Sequence, residues 1–375
     1  MARKNSATSP TRKLTENDLK RLPWRCIGPA IMGGRIADMA FVPGSPKSYY
    51  LGYASGGIWR TSNHGTTFEQ IFKKEETSSI GSLAVCDAPA DWKGWTADTP
   101  KGERKEKGKG RIIWVGTGEG NGRNSSSWGN GVYRSTDGGE NFEHLGLEDS
   151  HDIPRLAVDP RDPDTCYVAA LGHLWGSNET RGVYKTTDGG KNWAKVLGID
   201  KETGACDVAI DPKNPDTIYA AMYQRLRTAW SFRSGGKEGG IYRSTDGGKT
   251  WKKLGKGLPK QTGRIGLDIF PSDTKKLIAV VESTELGANS IRDDRMRGGG
   301  VFRSDDGGDT WTRMSVRSPR AFYFSKIKFD PKDDQRVYML GWTTEFSDDG
   351  GKTFRGGWAD ILHADHHAIL VNPED

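Results

Sequence analysis

The chain has 375 residues, 34% of them hydrophobic, and a formal charge of +6 at pH 7. A mean hydropathy of −0.70 and the lack of any long apolar run exclude a transmembrane helix, so no membrane partner is expected. The positive charge is local: residues 1–13 hold four bases and no acid, and residues 101–111 hold six bases against two acids. These read as solvated charge runs on a slightly acidic body, which argues against a nucleic-acid partner.

In chain order, residues 1–21 form a basic tail, expected to be mostly disordered, with no apolar core of a signal peptide. A short helix is expected over Thr15–Leu22, with Thr15 as its N-cap. Trp24–Gly28, WRCIG, reads as an outermost strand without its hairpin partner. From residue 22 onward a repeat governs everything. The frame [S/T]-x-[D/N]-x-G-x-[T/N]-[W/F] occurs six times, with its acidic position at Asn63, Asp137, Asp188, Asp246, Asp306 and Asp349.

The copy at residues 239–251, GGIYRSTDGGKTW, shows why. The run before the frame alternates apolar and polar residues and is β-branched or aromatic, as a strand requires. Ser244 and Asp246 can bond nearby amides, and Gly247 and Gly248 supply the positive φ of a tight turn. Trp251 then opens the returning strand and offers a large apolar face to a neighbour. A second phrase, VAIDPKNPDTIYAAM from Val208 and LAVDPRDPDTCYVAA from Leu156, adds two more β-runs around a Pro turn. Four strands per unit make a propeller blade.

The fold class is therefore all-β: a propeller of four-stranded blades at Ile36–Phe68, Ser82–Phe142, Arg155–Trp193, Asp207–Trp251, Gly266–Trp311 and Lys326–Phe354. Residues 88–110 form a flexible insertion in the second blade. Ala368–Pro373 reads as the first strand of a partial seventh blade, closed by the N-terminal strand, and the ring is expected to be truncated there. Cys26, Cys86, Cys166 and Cys206 lack CxxC spacing and read as buried free thiols.

With six boxes in register, the chain resembles the BNR/Asp-box propellers, and looks closest to the sortilin-like bacterial proteins often labelled glycosyl hydrolases. The resemblance covers nearly everything from Trp24 to the end. It implies that the box lies at the blade periphery, away from the binding face, which makes the six box residues structural. The same box occurs in sialidases, xyloglucan hydrolases, sorting receptors and photosystem assembly factors, and relatives are commonly secreted. Where xyloglucan-type relatives place an acid before a Gly-Gly pair, this chain has Ser55, and of the sialidase Phe-Arg-Ile-Pro only Arg35-Ile36 survives.

Binding in such folds occurs at the channel mouth, and four loops there are richer than turns require. They contribute Arg35; Glu119, Asn121 and Trp128; His173, Glu179 and Arg181; and His363, Asp365, His366 and His367. Arg35, Asn121, Trp128, His173 and Arg181 are the expected ligand-binding set, with Trp128 as a stacking platform. If HADHH is extended, period-two alternation puts His363, Asp365 and His367 on one face, able to ligate a divalent metal. The alternative is a polar loop whose groups satisfy one another. No cofactor is expected.

The primary reading is a ligand-binding propeller that recognises a peptide or glycan, as a monomer or part of a longer chain. The alternative is a glycoside hydrolase in which Glu119 acts with Asp365 or Glu179 as the catalytic carboxylate pair.

Overall fold

A computed structural model describes residues 15, 34–89, 92, 110–122, 126–283, 298–320, 322–357 and 362–372. The expected helix over Thr15–Leu22 (beyond Thr15), the strand Trp24–Gly28 with Cys26, and most of the insertion at 88–110 lie outside these residues. Trp92 is described in the middle of the insertion: its indole donates to Asp164 Oδ2 at 2.8 Å and its ring packs on the core.

The six expected blades form as six antiparallel sheets, at residues 36–70, 80–144, 155–197, 203–254, 265–315 and 326–357. Five have four strands. The fourth adds Phe232–Ser234, which pairs with Ile218–Arg227. The only helical element among the described residues is a 3-10 turn at Glu148–Ser150. The first strands, Ile36–Val42, Ile80–Asp87, Arg155–Asp159, Thr203–Ile210, Ile265–Ile269 and Lys326–Phe329, stand side by side around the centre. Apolar residues collect between blades rather than in one core. Ile58 and Phe72 of the first blade pack with Ile80, Ile113 and Tyr133 of the second; Val301 of the fifth packs with Phe329 and Val337 of the sixth.

Each box is pinned by its own side chains. Ser244 Oγ donates to Asp246 Oδ1 at 2.8 Å and accepts the Gly248 N–H at 2.9 Å, while Asp246 accepts the Thr250 N–H and hydroxyl at 2.9 and 2.6 Å. Gly247 and Gly248 take φ of 72° and 89°. These donors hold the box carboxyls below their ordinary range; Asp188 and Asp306 fall to about 2. Such groups are fully engaged as acceptors within their own turn.

The turn also receives the preceding blade, a contact that the repeat frame does not reveal. The basic residue just before the box reaches the carbonyl of the first box glycine one blade on: Arg60 to Gly138 at 3.0 Å, Arg134 to Gly189 at 3.2 Å, Lys185 to Gly247 at 2.8 Å and Arg243 to Gly307 at 2.8 Å. Tyr167 and Tyr219 add hydroxyls to two of the same carbonyls, at 2.8 and 2.9 Å. Near the axis, Asp38 accepts the Leu83 N–H, Ser82 the Leu156 N–H, Asp207 the Leu267 N–H and Asp268 the Phe329 N–H, all within 3.1 Å. Blade is thus tied to blade both at the rim and at the centre.

Of the expected strand at Ala368–Pro373, residues 368–372 pair with no strand among the described residues, and its expected N-terminal partner lies outside them. Ile369 and Leu370 instead line a cavity of about 430 Å³ with Leu83, Arg155 and Lys328 against the first strands. The alternation expected of HADHH also fails, because Asp365 takes φ of 73° and turns the backbone. Its N–H donates to the Trp342 carbonyl at 3.1 Å, and the His366 N–H to Gly341 at 2.9 Å. Cys86, Cys166 and Cys206 are free thiols, with burial raising Cys86 to about 12.

Candidate functional site

In an antiparallel blade, the connection between the second and third strands and the one leaving the fourth strand lie at the same end. The boxes join third to fourth strands, so they lie at the opposite end. The loops at 118–131, 171–181, 228–239 and 341–343 therefore share one face with the connections at 145–154, 255–264 and 316–325. Chemistry-bearing side chains concentrate here, in two layers.

The lower layer is buried and built on arginine. Arg181, Arg225 and Arg264 are among the largest fully buried side chains. Arg181 donates to the carbonyls of His173, Gly176, Glu202 and Arg225 and to Asn178 Oδ1, at 2.8–3.1 Å. Burial among neutral carbonyls lowers its pKa to about 10, with Arg225 adding to the effect. Arg225 pairs with Asp152 at 3.0 Å and donates to Gly172 and His173 carbonyls at 3.1 and 3.3 Å. Burial pushes Asp152 up to about 6, and Arg225 only partly opposes this. Arg264 crosses to Asn121 Oδ1 at 2.9 Å, and its own N–H meets Glu282, a carboxyl that burial also raises. Arg35 Nε donates to Glu119 Oε1 at 2.9 Å.

The upper layer faces outward. Trp128 is 67% exposed, Trp175 49% and Trp230 87%, carried by the equivalent loops of three successive blades, and Trp342 of the sixth blade is 66% exposed. Trp128 stacks on His151 with centroids 5.8 Å apart, and His151 stacks on His173 at 3.7 Å. Arg227 lies over the Trp175 ring at 5.7 Å. His173 Nε2 bonds Asp149 Oδ1 at 2.8 Å, and Asp149 Oδ2 accepts the Thr180 hydroxyl at 3.1 Å. One ligand atom from each of Asp149, His151 and His173 lies within 4.8 Å of the other two.

The glycine-rich loop fixes the backbone under this row. Gly118 has φ of 88°, and a Cβ there would lie 1.6 Å from the His151 carbonyl oxygen, so only glycine lets the segments meet. The Gly129 N–H donates to that same oxygen at 2.7 Å.

The residues expected from sequence divide between the layers. Trp128 and His173 reach the surface, and Glu179 is exposed beside them. Glu119, Asn121 and Arg181 are at most 5% exposed and bonded to protein groups, and Arg35 is committed to Glu119. Asp365 is half-buried and accepts the Tyr323 hydroxyl at 3.4 Å. His363 is exposed, its Nδ1 bonding Ala364 O, whereas His367 is buried between Phe324 and Tyr323 with neither ring nitrogen partnered among the described residues. These last three residues form no metal-spaced set among the described residues.

Sequence reasoning missed Asp149, His151, Asp152, Arg225, Arg264 and Trp230. A signal existed only for Trp230, which stands in a loop equivalent to those of Trp128 and Trp175.

The sortilin (neurotensin receptor 3) family model, Sortilin-Vps10, matches residues 130–261. An oligoxyloglucan-reducing end-specific xyloglucanase of Emericella nidulans is 25% identical over 251 residues, 55% of this chain and 30% of that protein. A probable enzyme of the same name from Neosartorya fischeri is 29% identical over 215 residues, 56% of this chain and 22% of its own length. The chain thus spans less than a third of the curated relatives it matches. Among solved structures, the GH74 xyloglucanase of Xanthomonas campestris aligns at TM-score 0.58 and 18% identity, covering 92% of this chain and 50% of its own. The YCF48 structure bound to D1 peptide aligns at 0.53 and 16%, covering 90% and 87%. At such identities the structures speak to the fold alone. The chain is a β-propeller built on Asp-box repeats, and its residues 130–261 are similar to the sortilin family.

Proposed function

We propose that this chain acts on a glycan of the xyloglucan type, as a propeller of a glycoside hydrolase whose loop face binds the sugar chain. The observation that carries the reading is the set of exposed tryptophans, Trp128, Trp175 and Trp230, on equivalent loops of one face. Indole faces present apolar area of the kind the C–H faces of pyranose rings cover, and polar groups between them supply hydroxyl partners. His173, Asp149 and Arg227 stand between these rings. The xyloglucanase relatives support the substrate class.

Hydrolysis needs an acid and a base or nucleophile flanking the scissile bond. Of the carboxylates expected to act, Glu179 is exposed and can meet a bound glycan directly. Glu119 lies below the platform against Arg35, so its participation requires that pair to open.

The test is calorimetric binding of xyloglucan oligosaccharides to the full chain, with product analysis on the same samples. Trp128→Ala and Trp175→Ala should each weaken binding about tenfold, near 1.4 kcal/mol, with unchanged circular dichroism. Hydrolysis should fall in Glu179→Gln with binding retained. No binding of any xyloglucan fragment by the wild type refutes the reading; binding without cleavage removes the hydrolase half and leaves the platform.

A further inference from the structure

The outer layer of the loop face also brings two imidazoles and a carboxylate together. Asp149, His151 and His173 come from two connections, 145–154 and 171–181, of neighbouring blades. Their ligand atoms already lie within 4.8 Å of one another, and the two imidazole rings stand 3.7 Å apart. Two nitrogens bound tetrahedrally to one zinc ion, at Zn–N of about 2.0–2.1 Å, lie about 3.4 Å from each other, a spacing that two ligand atoms within 4.8 Å reach once the stacked rings splay apart. We propose that these three residues form a binding site for a divalent transition-metal ion, zinc in the first instance, with the fourth position open to the solvent face.

Four observations carry this. His151 has φ of 53° and ψ of −56°, a costly backbone for a residue with a Cβ. That backbone is held by the Gly129 N–H on its carbonyl and by the close approach of Gly118. The strain holds the imidazole over His173, where its ring nitrogens have no protein partner among the described residues. Asp149 is already oriented as a ligand is: Thr180 bonds its second carboxylate oxygen, and Asn178 bonds its backbone carbonyl at 3.1 Å. Outer contacts of this kind fix a metal carboxylate.

The donor set of two imidazoles and one carboxylate selects zinc, copper or nickel over magnesium or calcium, which prefer all-oxygen shells. The shared hydrogen between His173 and Asp149 marks where the ion enters. Ligation at Nε2 of the neutral His173 ring puts its one N–H on Nδ1, and the two stacked rings splay so that a lone pair from each meets one centre. The buried arginines hold only the backbone of this site, through the His173 carbonyl, and leave its three ligating side chains free to turn.

The experiment uses tag-free, metal-stripped full chain titrated with zinc chloride by calorimetry. One ion per chain is expected, with a rise in Tm on saturation. His173→Ala, His151→Ala and Asp149→Asn should each weaken zinc binding at least tenfold. Asp149→Asn keeps the shape and should retain the apo protein's Tm, so lost binding in that variant reports ligation rather than unfolding. Magnesium and calcium should give no heat at the same concentrations. Absence of stoichiometric zinc binding by the wild type overturns the proposal, and so does equal binding by Asp149→Asn and His151→Ala.

Discussion

Arg181→Met is the sharpest probe of the buried layer. The substitution keeps most of the side-chain volume and removes every donor. Of the five acceptors, the Glu202 carbonyl keeps the Arg225 N–H, the His173 carbonyl keeps the Arg225 guanidinium, and Asn178 Oδ1 keeps the His173 N–H. The Gly176 and Arg225 carbonyls keep no other donor among the described residues. Each buried acceptor left unmet costs about 1–3 kcal/mol. Part of this is recovered because methionine brings no cation out of water, so a net loss of about 2–4 kcal/mol is expected. Urea unfolding followed by tryptophan fluorescence measures it, and hydrogen exchange across residues 171–182 should localise it. Arg181→Lys should lose an intermediate amount, since an ammonium has three donors on one nitrogen and cannot span the five acceptors. A loss below about 1 kcal/mol, or unchanged exchange in that loop, would refute the assignment of Arg181 as the loop's organiser.

Two further perturbations separate the faces and the centre. Ser244→Ala removes one box hydroxyl, which accepts from Gly248 and donates to Asp246; a loss of about 1 kcal/mol is expected, with glycan binding unchanged because the box lies at the opposite end. His367→Phe tests the buried imidazole, whose pKa burial lowers to about 3. The unfolded chain takes up this proton near pH 6.5, so wild-type stability falls as pH drops from 6.5 toward 3, by about 1.4 kcal/mol per unit. The Phe variant should lose that part of the slope; parallel wild-type and variant curves between pH 7 and 4 would show that His367 does not titrate as described.

The blades were legible because their determinants are local. Ser244, Asp246, Gly248 and Thr250 satisfy one another within a few residues, so the pattern can be read without knowing the neighbour. What crosses between blades left weaker marks. Arg60, Arg134, Lys185 and Arg243 occupy one repeat position, yet nothing in the frame says that their acceptor is the next blade's glycine carbonyl. The loop face was legible as rich loops, and Trp128 and His173 stood out by type. The sorting of Glu119, Asn121 and Arg181 into a buried layer depends on Arg35, Arg264 and Arg225 arriving from other parts of the chain. Residues 368–372 read as a strand from an apolar run ahead of a Pro turn, and that local signal carries no information about which strand it would pair with.

The bond from Arg264 to Asn121 links residues 143 apart, and it bears on timing as well as stability. Hairpins close quickly because their ends are near in sequence, whereas long-range contacts must first bring distant segments together. The loop carrying Asn121 and Trp128 belongs to the second blade, but its anchor arrives only with the chain leading into the fifth. During synthesis the early blades can therefore acquire their hairpins while the platform above them is still unanchored. The proposed glycan-facing loop of the second blade then matures only after the fourth blade has been made.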